Sequence, residues 1–220
     1  MPSPGPLLRV EWDSSRPSGG DNAVTVPGLE GGWVALQGEA LLAWTPRTPE
    51  GALAVLRGAW AEACGRQGAV LLHGAGLLHR GRAVVVTGPP DAGKSTCAEL
   101  ALAAGASLLS DEVLALYPDG TVQGTPFRSS LAAAPSPARA RCAAVLTLEK
   151  AEAESIRPKP PGAFASALLG QVWTPVGLGL PAKEARTVAL SCADRAFRGT
   201  FAFRKHPDAG RYLLEWLDAL

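Results

Sequence analysis

The nine-residue run 88–96 constrains this chain more than any other stretch. It reads Gly-Pro-Pro-Asp-Ala-Gly-Lys-Ser-Thr and fits the pattern G-x-x-x-x-G-K-[ST], known as Walker A, at every defined position. A β-branched apolar segment precedes it at residues 82–87, and an Ala- and Leu-rich segment follows it as far as Gly105. This order predicts a buried parallel strand, a tight loop and a helix.

A loop of this kind predicts a phosphate site. The backbone N–H groups of its second half should point into one concavity at the helix N-terminus, where the helix dipole is positive. Gly88 and Gly93 allow backbone angles and close approach that a Cβ atom would block. We expect Lys94 to reach the β- and γ-phosphates of a nucleoside triphosphate and the Ser95 hydroxyl to ligate Mg²⁺. The predicted nucleotide-binding residues are Gly88, Asp91, Ala92, Gly93, Lys94, Ser95 and Thr96. A plain Gly/Pro turn is the alternative, but it does not account for Lys-Ser-Thr.

Two groups of polar residues flank the loop. His73 ends an apolar segment 15 residues before Gly88, and Asp111 and Glu112 follow a short apolar segment, with Asp111 17 residues after Lys94. Side chains at the carboxyl ends of strands in an open α/β sheet face its nucleotide crevice. Asp111 is therefore a candidate to accept the proton of an acceptor hydroxyl and to ligate Mg²⁺, with His73 hydrogen-bonded nearby.

The structural alternatives are a packed core histidine at position 73 and a strand-end cap at position 111. Two acids that follow one another on a regular strand point to opposite faces, so Asp111 and Glu112 can serve together only if the chain bends there.

These residues, in this order and spacing, resemble the HPr kinase/phosphorylase family and its relatives with the phosphoenolpyruvate-carboxykinase type of nucleotide fold. That family carries a His-Gly pair before the loop strand, the phosphate loop, a glycine that ends the helix, and paired acids. The resemblance covers residues 70–127 and is weaker beyond them, where residues 143–150 and 201–204 look like the family's small kinase-like members. The family usually has two aspartates where this chain has Asp111 and Glu112.

The resemblance implies a fold, an activity and a set of catalytic residues. The expected fold is α/β, a P-loop nucleotide-binding domain with a mixed β-sheet. The expected activity is ATP-dependent phosphate transfer to a hydroxyl, that of a serine, on a peptide or protein acceptor. ATP, or another purine triphosphate, and Mg²⁺ are the implied cofactors. The implied catalytic residues are His73, Asp111, Glu112 and Arg128, of which Arg128 could grip phosphate or equally be a solvated side chain.

Two other functions remain open. One is a nucleotide-binding accessory protein or slow NTPase in a peptide-modification system, and the other is a small-molecule kinase. Against the latter, the loop of small-metabolite kinases usually follows the first strand, whereas here about eighty residues precede it. The acceptor, the choice between ATP and GTP, and the number of subunits stay open.

Composition excludes several classes of partner. The chain has 220 residues, 47% of them hydrophobic, and a formal net charge of +1. This predicts a globular protein with one sizeable core. The chain has no excess of basic residues that would indicate binding to nucleic acid or to an anionic membrane. The N-terminal residues lack the pattern of a secretory signal, and no apolar run approaches bilayer length, so we expect a cytoplasmic protein.

The four cysteines stand singly at positions 64, 97, 142 and 192. This spacing favours buried thiols over a disulfide framework or a C-x-x-C metal site. Cys97 lies in the first turns of the loop helix, where the helix dipole could lower the pKa of its thiol, but a packing role is the favoured interpretation.

Short strands separated by Gly/Pro turns predict a β-rich N-terminal segment over residues 1–47, packed on a kinase-like domain over residues 48–220. Trp12, Trp33 and Trp44 are interpreted as core residues of this segment instead of a platform for stacked bases. Thr48 should cap a helix that begins at Pro49.

Three further predictions concern the C-terminal half. Residues 129–141 are either a mobile active-site loop or a surface linker. Residues 157–161 should form a stiff extended crossover. Asp208 should cap the last helix.

Overall fold

The computed structural model describes residues 8–10, 23–25, 33–37, 40–44, 48–127, 131–173 and 180–220. The chain divides into two compact units, one within residues 1–67 and 174–182 and the other within residues 68–173 and 183–220. The boundary predicted after residue 47 stays a prediction. None of the helices in the described ranges combines the length and the apolar character needed to cross a bilayer.

The first unit contains a small sheet and one helix. The third and fourth strands pair antiparallel, with Trp33 opposite Trp44, whereas Trp12 lies outside the described residues. The predicted helix start is confirmed, because the Thr48 hydroxyl accepts a hydrogen bond from the Gly51 N–H at 3.0 Å. In the order β1-β4-β3-β2, the strands are β1 (Leu8–Val10), β2 (Ala23–Thr25), β3 (Trp33–Gln37) and β4 (Ala40–Trp44), followed by α1 (Pro49–Arg66).

The second unit is built on a mixed sheet, as the sequence predicts. In its described part, β6, β10 and β13 run parallel at the centre, and β5 runs antiparallel to β6. The path through the sheet is β11-β13-β10-β6-β5-β8-β9, and β7 and β12 also pair with β5. The strands are β5 (Val70–His79), β6 (Arg82–Thr87), β7 (Ser107–Ser110), β8 (Val113–Leu116), β9 (Thr121–Gly124), β10 (Arg139–Lys150), β11 (Ser155–Pro158), β12 (Val172–Trp173) and β13 (Phe197–Phe203).

Four helices of the described chain belong to this unit and give it its α/β character. Two of them, α2 and α5, pack together over one face of β6, β10 and β13. The core between them contains Val84, Leu146, Phe201 and Leu213, each with 0% exposure. The helices are α2 (Lys94–Ala103), α3 (Pro161–Leu169), α4 (Ala182–Asp194) and α5 (Pro207–Ala219). Helix α2, which follows the phosphate loop, and the terminal helix α5 are thus held against the strands that carry the candidate site.

Strand β5 is longer than its sequence indicates. The pattern predicts two short apolar pieces separated by glycines, whereas the structure shows one ten-residue strand. Gly76 lies where a Cβ atom would come within 2.6 Å of the Leu114 side chain on β8. The glycine therefore serves close strand packing and does not mark a turn.

Two other predictions for the C-terminal half are wrong. A stiff extended crossover was expected over residues 157–161, but residues 155–158 form strand β11, antiparallel to β13, and Pro161 begins α3. The last helix is capped by His206, whose ring Nδ1 accepts a hydrogen bond from the Asp208 N–H at 3.3 Å. Asp208 is the second residue of the helix, within its first turn, because Pro207 occupies the first helical position.

Candidate phosphate-binding site

The predicted strand, loop and helix are present in that order. Strand β6 ends at Thr87, helix α2 begins at Lys94, and Gly93 takes the N-cap position with a φ angle of 97°. A Cβ atom on Gly93 would come within 3.2 Å of the Phe203 ring. Glycine is therefore required here both by the left-handed backbone and by the neighbouring aromatic ring.

The Lys94 side chain folds back into the loop that precedes it. Its Nζ atom donates hydrogen bonds to the carbonyl oxygens of Gly88 at 2.8 Å and Pro89 at 3.0 Å. Burial lowers the pKa of Lys94, and the carboxylate of Asp91 opposes that shift. The first N–H groups of α2 have no acceptor within the helix, so the loop presents a partly desolvated cation and main-chain donors to an anion.

The loop forms one wall of a cleft of about 750 Å³. Residues 91 and 93–96 line this wall, and residues 150–152 and 203–205 line the facing wall. The facing residues lie at the carboxyl ends of β10 and β13, which run parallel to β6, so the three strand ends meet at one edge of the sheet. The cleft therefore occupies the position where open α/β sheets bind their ligands.

The cleft carries an excess of positive charge. Its cations are Lys94, Lys150, Arg204 and Lys205, and its acids are Asp91 and Glu152. Such a charge balance favours phosphate over a neutral ligand.

Sequence reasoning did not assign Lys150 or Lys205 to the site. Lys150 is the register partner of Phe203, and the Ala151 N–H donates to the Phe203 carbonyl oxygen at 3.0 Å. Strand pairing brings both lysines to the loop. A lysine at the end of an apolar strand is common in sequences, so the pattern alone could not have assigned either lysine to the site.

His73 lies on the other side of the loop strand. The Thr87 hydroxyl donates to the His73 carbonyl oxygen at 2.9 Å, and the N–H of Gly74, next along β5, donates to the Glu112 carbonyl oxygen at 3.0 Å. Neighbouring strands are about 4.8 Å apart, so the backbones of Thr87 and Glu112 are separated by on the order of 10 Å. Main-chain contacts thus bring His73 and the two acids to the edge of the sheet from which the loop starts.

The paired acids occupy a bend and not a regular strand. Strand β7 ends at Ser110, whose hydroxyl oxygen accepts from the N–H groups of Glu112 and Val113, both at 3.3 Å. Asp111 has 2% exposure, and its Oδ2 atom accepts a hydrogen bond from the Leu131 N–H at 3.1 Å. The bend meets the condition under which both acids could act together, although neither they nor His73 line the cleft.

The remaining predicted residues divide into two groups. Ser95 and Thr96 are half-buried in the cleft beside Lys94, whereas Arg128 lies outside the described residues. No group of three or more His, Cys, Asp or Glu side chains gathers in the described ranges. The predicted Mg²⁺ ligands, the Ser95 hydroxyl and the Asp111 carboxylate, are hard oxygen donors of the kind that this metal takes, but of the two only Ser95 lines the cleft.

All four cysteines are buried, as the sequence predicts. Burial raises the pKa of the Cys97 thiol to about 12 and that of Cys64 to about 11. The packing role of Cys97 is therefore confirmed, because desolvation outweighs the helix dipole at that position.

Neither a scan against models of known protein families nor a search of curated proteins finds a match for this chain. The resemblance described above therefore depends on the sequence motifs alone, and the function is argued from the site.

Proposed function

We propose that this protein is an ATP-dependent phosphotransferase of the HPr-kinase type, which transfers the γ-phosphoryl group to a hydroxyl, that of a serine, on a peptide or protein acceptor. The observation that carries the proposal is the loop at residues 88–96. It joins the carboxyl end of β6 to the N-terminus of α2, holds Lys94 in its concavity and opens into a cleft with excess positive charge.

Nucleotide binding follows from what the loop offers. The N–H groups at the start of α2 would donate to the phosphates, and Lys94 would exchange the carbonyl oxygens of Gly88 and Pro89 for charged phosphate oxygens. This exchange is favourable, because a phosphate oxygen carries negative charge and attracts the ammonium group more strongly than a neutral carbonyl oxygen does. It would also compensate the burial of the ammonium group that lowers the pKa of Lys94 in the free protein.

The acceptor would approach from the β5 side of the loop. There Asp111 would take the proton of the acceptor hydroxyl, with His73 nearby on β5, whose main chain is held at the start of the loop by the Thr87 hydrogen bond. Ser95 and Asp111 would hold Mg²⁺, which neutralises charge on the phosphates when it is bound.

One observation favours the alternative of a nucleotide-binding accessory protein or slow NTPase. The Asp111 carboxylate is buried, accepts the Leu131 N–H and does not line the cleft. A carboxylate with this main-chain role can be structural, and nucleotide binding at the loop would not require it to react.

Two measurements on the full chain test the proposal. In thermal melts, Mg·ATP at about 100 times its Kd should stabilise the fold by about 2.7 kcal/mol and raise the midpoint by roughly 5–10 °C. An unchanged midpoint at millimolar nucleotide would contradict nucleotide binding itself.

The second measurement uses γ-labelled ATP with serine-containing peptides and with the same peptides carrying alanine in place of serine. Label found only on the serine peptides supports the transferase. Release of inorganic phosphate without labelled peptide, or binding without either product, supports the accessory protein or slow NTPase.

A further inference from the structure

The proposed function leaves the cations on the facing wall of the cleft without a role. Lys150 and Lys205 are both exposed, and neither has a carboxylate partner within the part of the chain that the structure describes. Arg204 differs, because its guanidinium lies 3.1 Å from Glu154 and 3.6 Å from Asp208. Together with Arg204, these two lysines outnumber Glu152, the acid that lines the same wall, so the wall keeps a net positive charge next to the phosphate loop and favours an anionic ligand.

The position of Lys150 along the strand direction, relative to the loop, follows from strand register. Thr147 on β10 pairs with Thr87, the last residue of β6 before the loop. Strand β10 continues for three more residues to Lys150, which at about 3.3 Å per residue places Lys150 roughly 10 Å beyond the end of β6. The wall therefore extends alongside the loop to the level at which bound phosphates would lie.

The direction of the nucleotide follows from the order of the strands. His73 and the paired acids lie on the β5 side of β6. The facing wall of residues 150–152 and 203–205, here called the basic wall, lies on the β10 and β13 side. In phosphoryl transfer the attacking and leaving oxygens are roughly in line through the phosphorus atom. If the acceptor hydroxyl approaches from the β5 side, the leaving ADP must extend toward β10 and β13.

We propose that Lys150 and Lys205 bind the ADP portion of the nucleotide, at its α- and β-phosphates, and so fix the direction in which the triphosphate lies in the cleft. This inference rests on the proposed function. It adds that the γ-phosphate points away from the basic wall, toward His73 and Asp111. The wall acts on the part that ADP and ATP share, so it does not discriminate between them.

The test compares the affinities of Mg·ADP and of a Mg-bound non-hydrolysable ATP analogue by titration calorimetry. The variant is Lys150→Gln with Lys205→Gln, which removes two charges and keeps a polar side chain only one atom shorter. The matched control is Lys183→Gln with Arg186→Gln, which removes two charges from exposed positions on α4 that do not line the cleft. All of these positions are exposed, so the midpoint of unfolding without nucleotide should not change in either variant.

We expect the cleft variant to bind both nucleotides at least roughly tenfold more weakly, because the loss of even one hydrogen bond to a charged group has that scale. The ratio of the two affinities should change by less than about twofold, and the control should bind like the wild type. A much greater loss for the ATP analogue than for ADP would overturn the proposal, because the wall would then contact the γ-phosphate.

Unchanged affinity for both nucleotides would also overturn the proposal. The basic wall would then be a surface for the acceptor instead of the nucleotide. In either case the proposed function stands, since the wild type binds nucleotide. A wild type that binds neither nucleotide would refute the proposed function and this inference together.

Discussion

The hydroxyl of Thr87 donates to the carbonyl oxygen of His73 at 2.9 Å, across a separation of 14 residues in sequence. Thr87 is fully buried and is the last residue of β6 before the phosphate loop. The same end of β5 is tied to the paired acids, because the Gly74 N–H donates to the Glu112 carbonyl oxygen. The start of the loop and the candidate catalytic residues are therefore positioned relative to one another by two short contacts, one from the buried Thr87 hydroxyl and one between main-chain atoms.

Lys94→Ala should remove most of the thermal stabilisation that Mg·ATP gives to the wild type. The substitution deletes the side-chain cation that the loop directs at the β- and γ-phosphates. Melts of the variant with and without Mg·ATP measure the effect, and Lys183→Ala, an exposed lysine on α4, serves as the control. A full nucleotide shift in Lys94→Ala would mean that the ligand binds elsewhere.

Gly93→Ala and Gly105→Ala form a matched pair. Both glycines have a left-handed backbone, with φ of 97° and 105°, so each substitution should cost about 1–2 kcal/mol in strain. A Cβ atom at position 105 meets nothing within 4 Å, whereas one at position 93 comes within 3.2 Å of Phe203. Chemical unfolding should therefore show the larger loss for Gly93→Ala.

Nucleotide melts of the same pair test the site itself. Gly93→Ala should bind Mg·ATP poorly, because it displaces the start of α2, while Gly105→Ala should keep the nucleotide shift. Equal nucleotide shifts in the two variants would show that the geometry at Gly93 is not required for binding.

Asp111→Asn tests whether the protein is an enzyme. Asparagine keeps the shape and an oxygen that can accept the Leu131 N–H, but it removes the negative charge and the basicity. If Asp111 takes the hydroxyl proton, transfer should fall by roughly a hundredfold or more, while nucleotide affinity falls modestly. The readouts are labelled-phosphate transfer and calorimetry.

The control for that experiment is Asp194→Asn, which changes an exposed carboxylate paired with Arg198. It should leave both transfer and affinity unchanged. Full transfer by Asp111→Asn would return this aspartate to a structural role and would favour the accessory-protein alternative.

Cys97 should resist alkylation in the folded protein. With a pKa of about 12, its thiolate fraction at pH 8 is on the order of one in ten thousand, against about one in four for an ordinary thiol. Raising the pH toward 12 increases the thiolate fraction, but the ring of packed side chains around the buried thiol still excludes the reagent. Mass spectrometry after treatment with iodoacetamide at pH 8, with and without guanidinium, should find the Cys97 peptide modified only in the unfolded sample. Rapid labelling of the native protein would show instead that the helix dipole controls this thiol.

Much of the fold was predictable from patterns of neighbouring residues. The strand, loop and helix around residues 88–96 and the helix that begins at Pro49 are examples. In each case the deciding interactions lie within a few residues, such as the hydroxyl of Thr48 that caps its own helix or the left-handed backbone that requires Gly93. The mixed character of the sheet was also expected, as an implication of the family resemblance.

Only the tertiary structure decided which residues line the cleft across from the phosphate loop. Lys150 and Lys205 reach the cleft because β10 pairs with β6 on one side and with β13 on the other, in registers that join residues about 50 to 60 positions apart. The same applies to Gly76, which continues a strand because the Leu114 side chain packs where its Cβ atom would lie. A sequence pattern reports the local preferences of the backbone. Strand partners and close contacts between distant segments are instead selected by the packing of the whole core, and that packing placed the basic wall beside the phosphate loop.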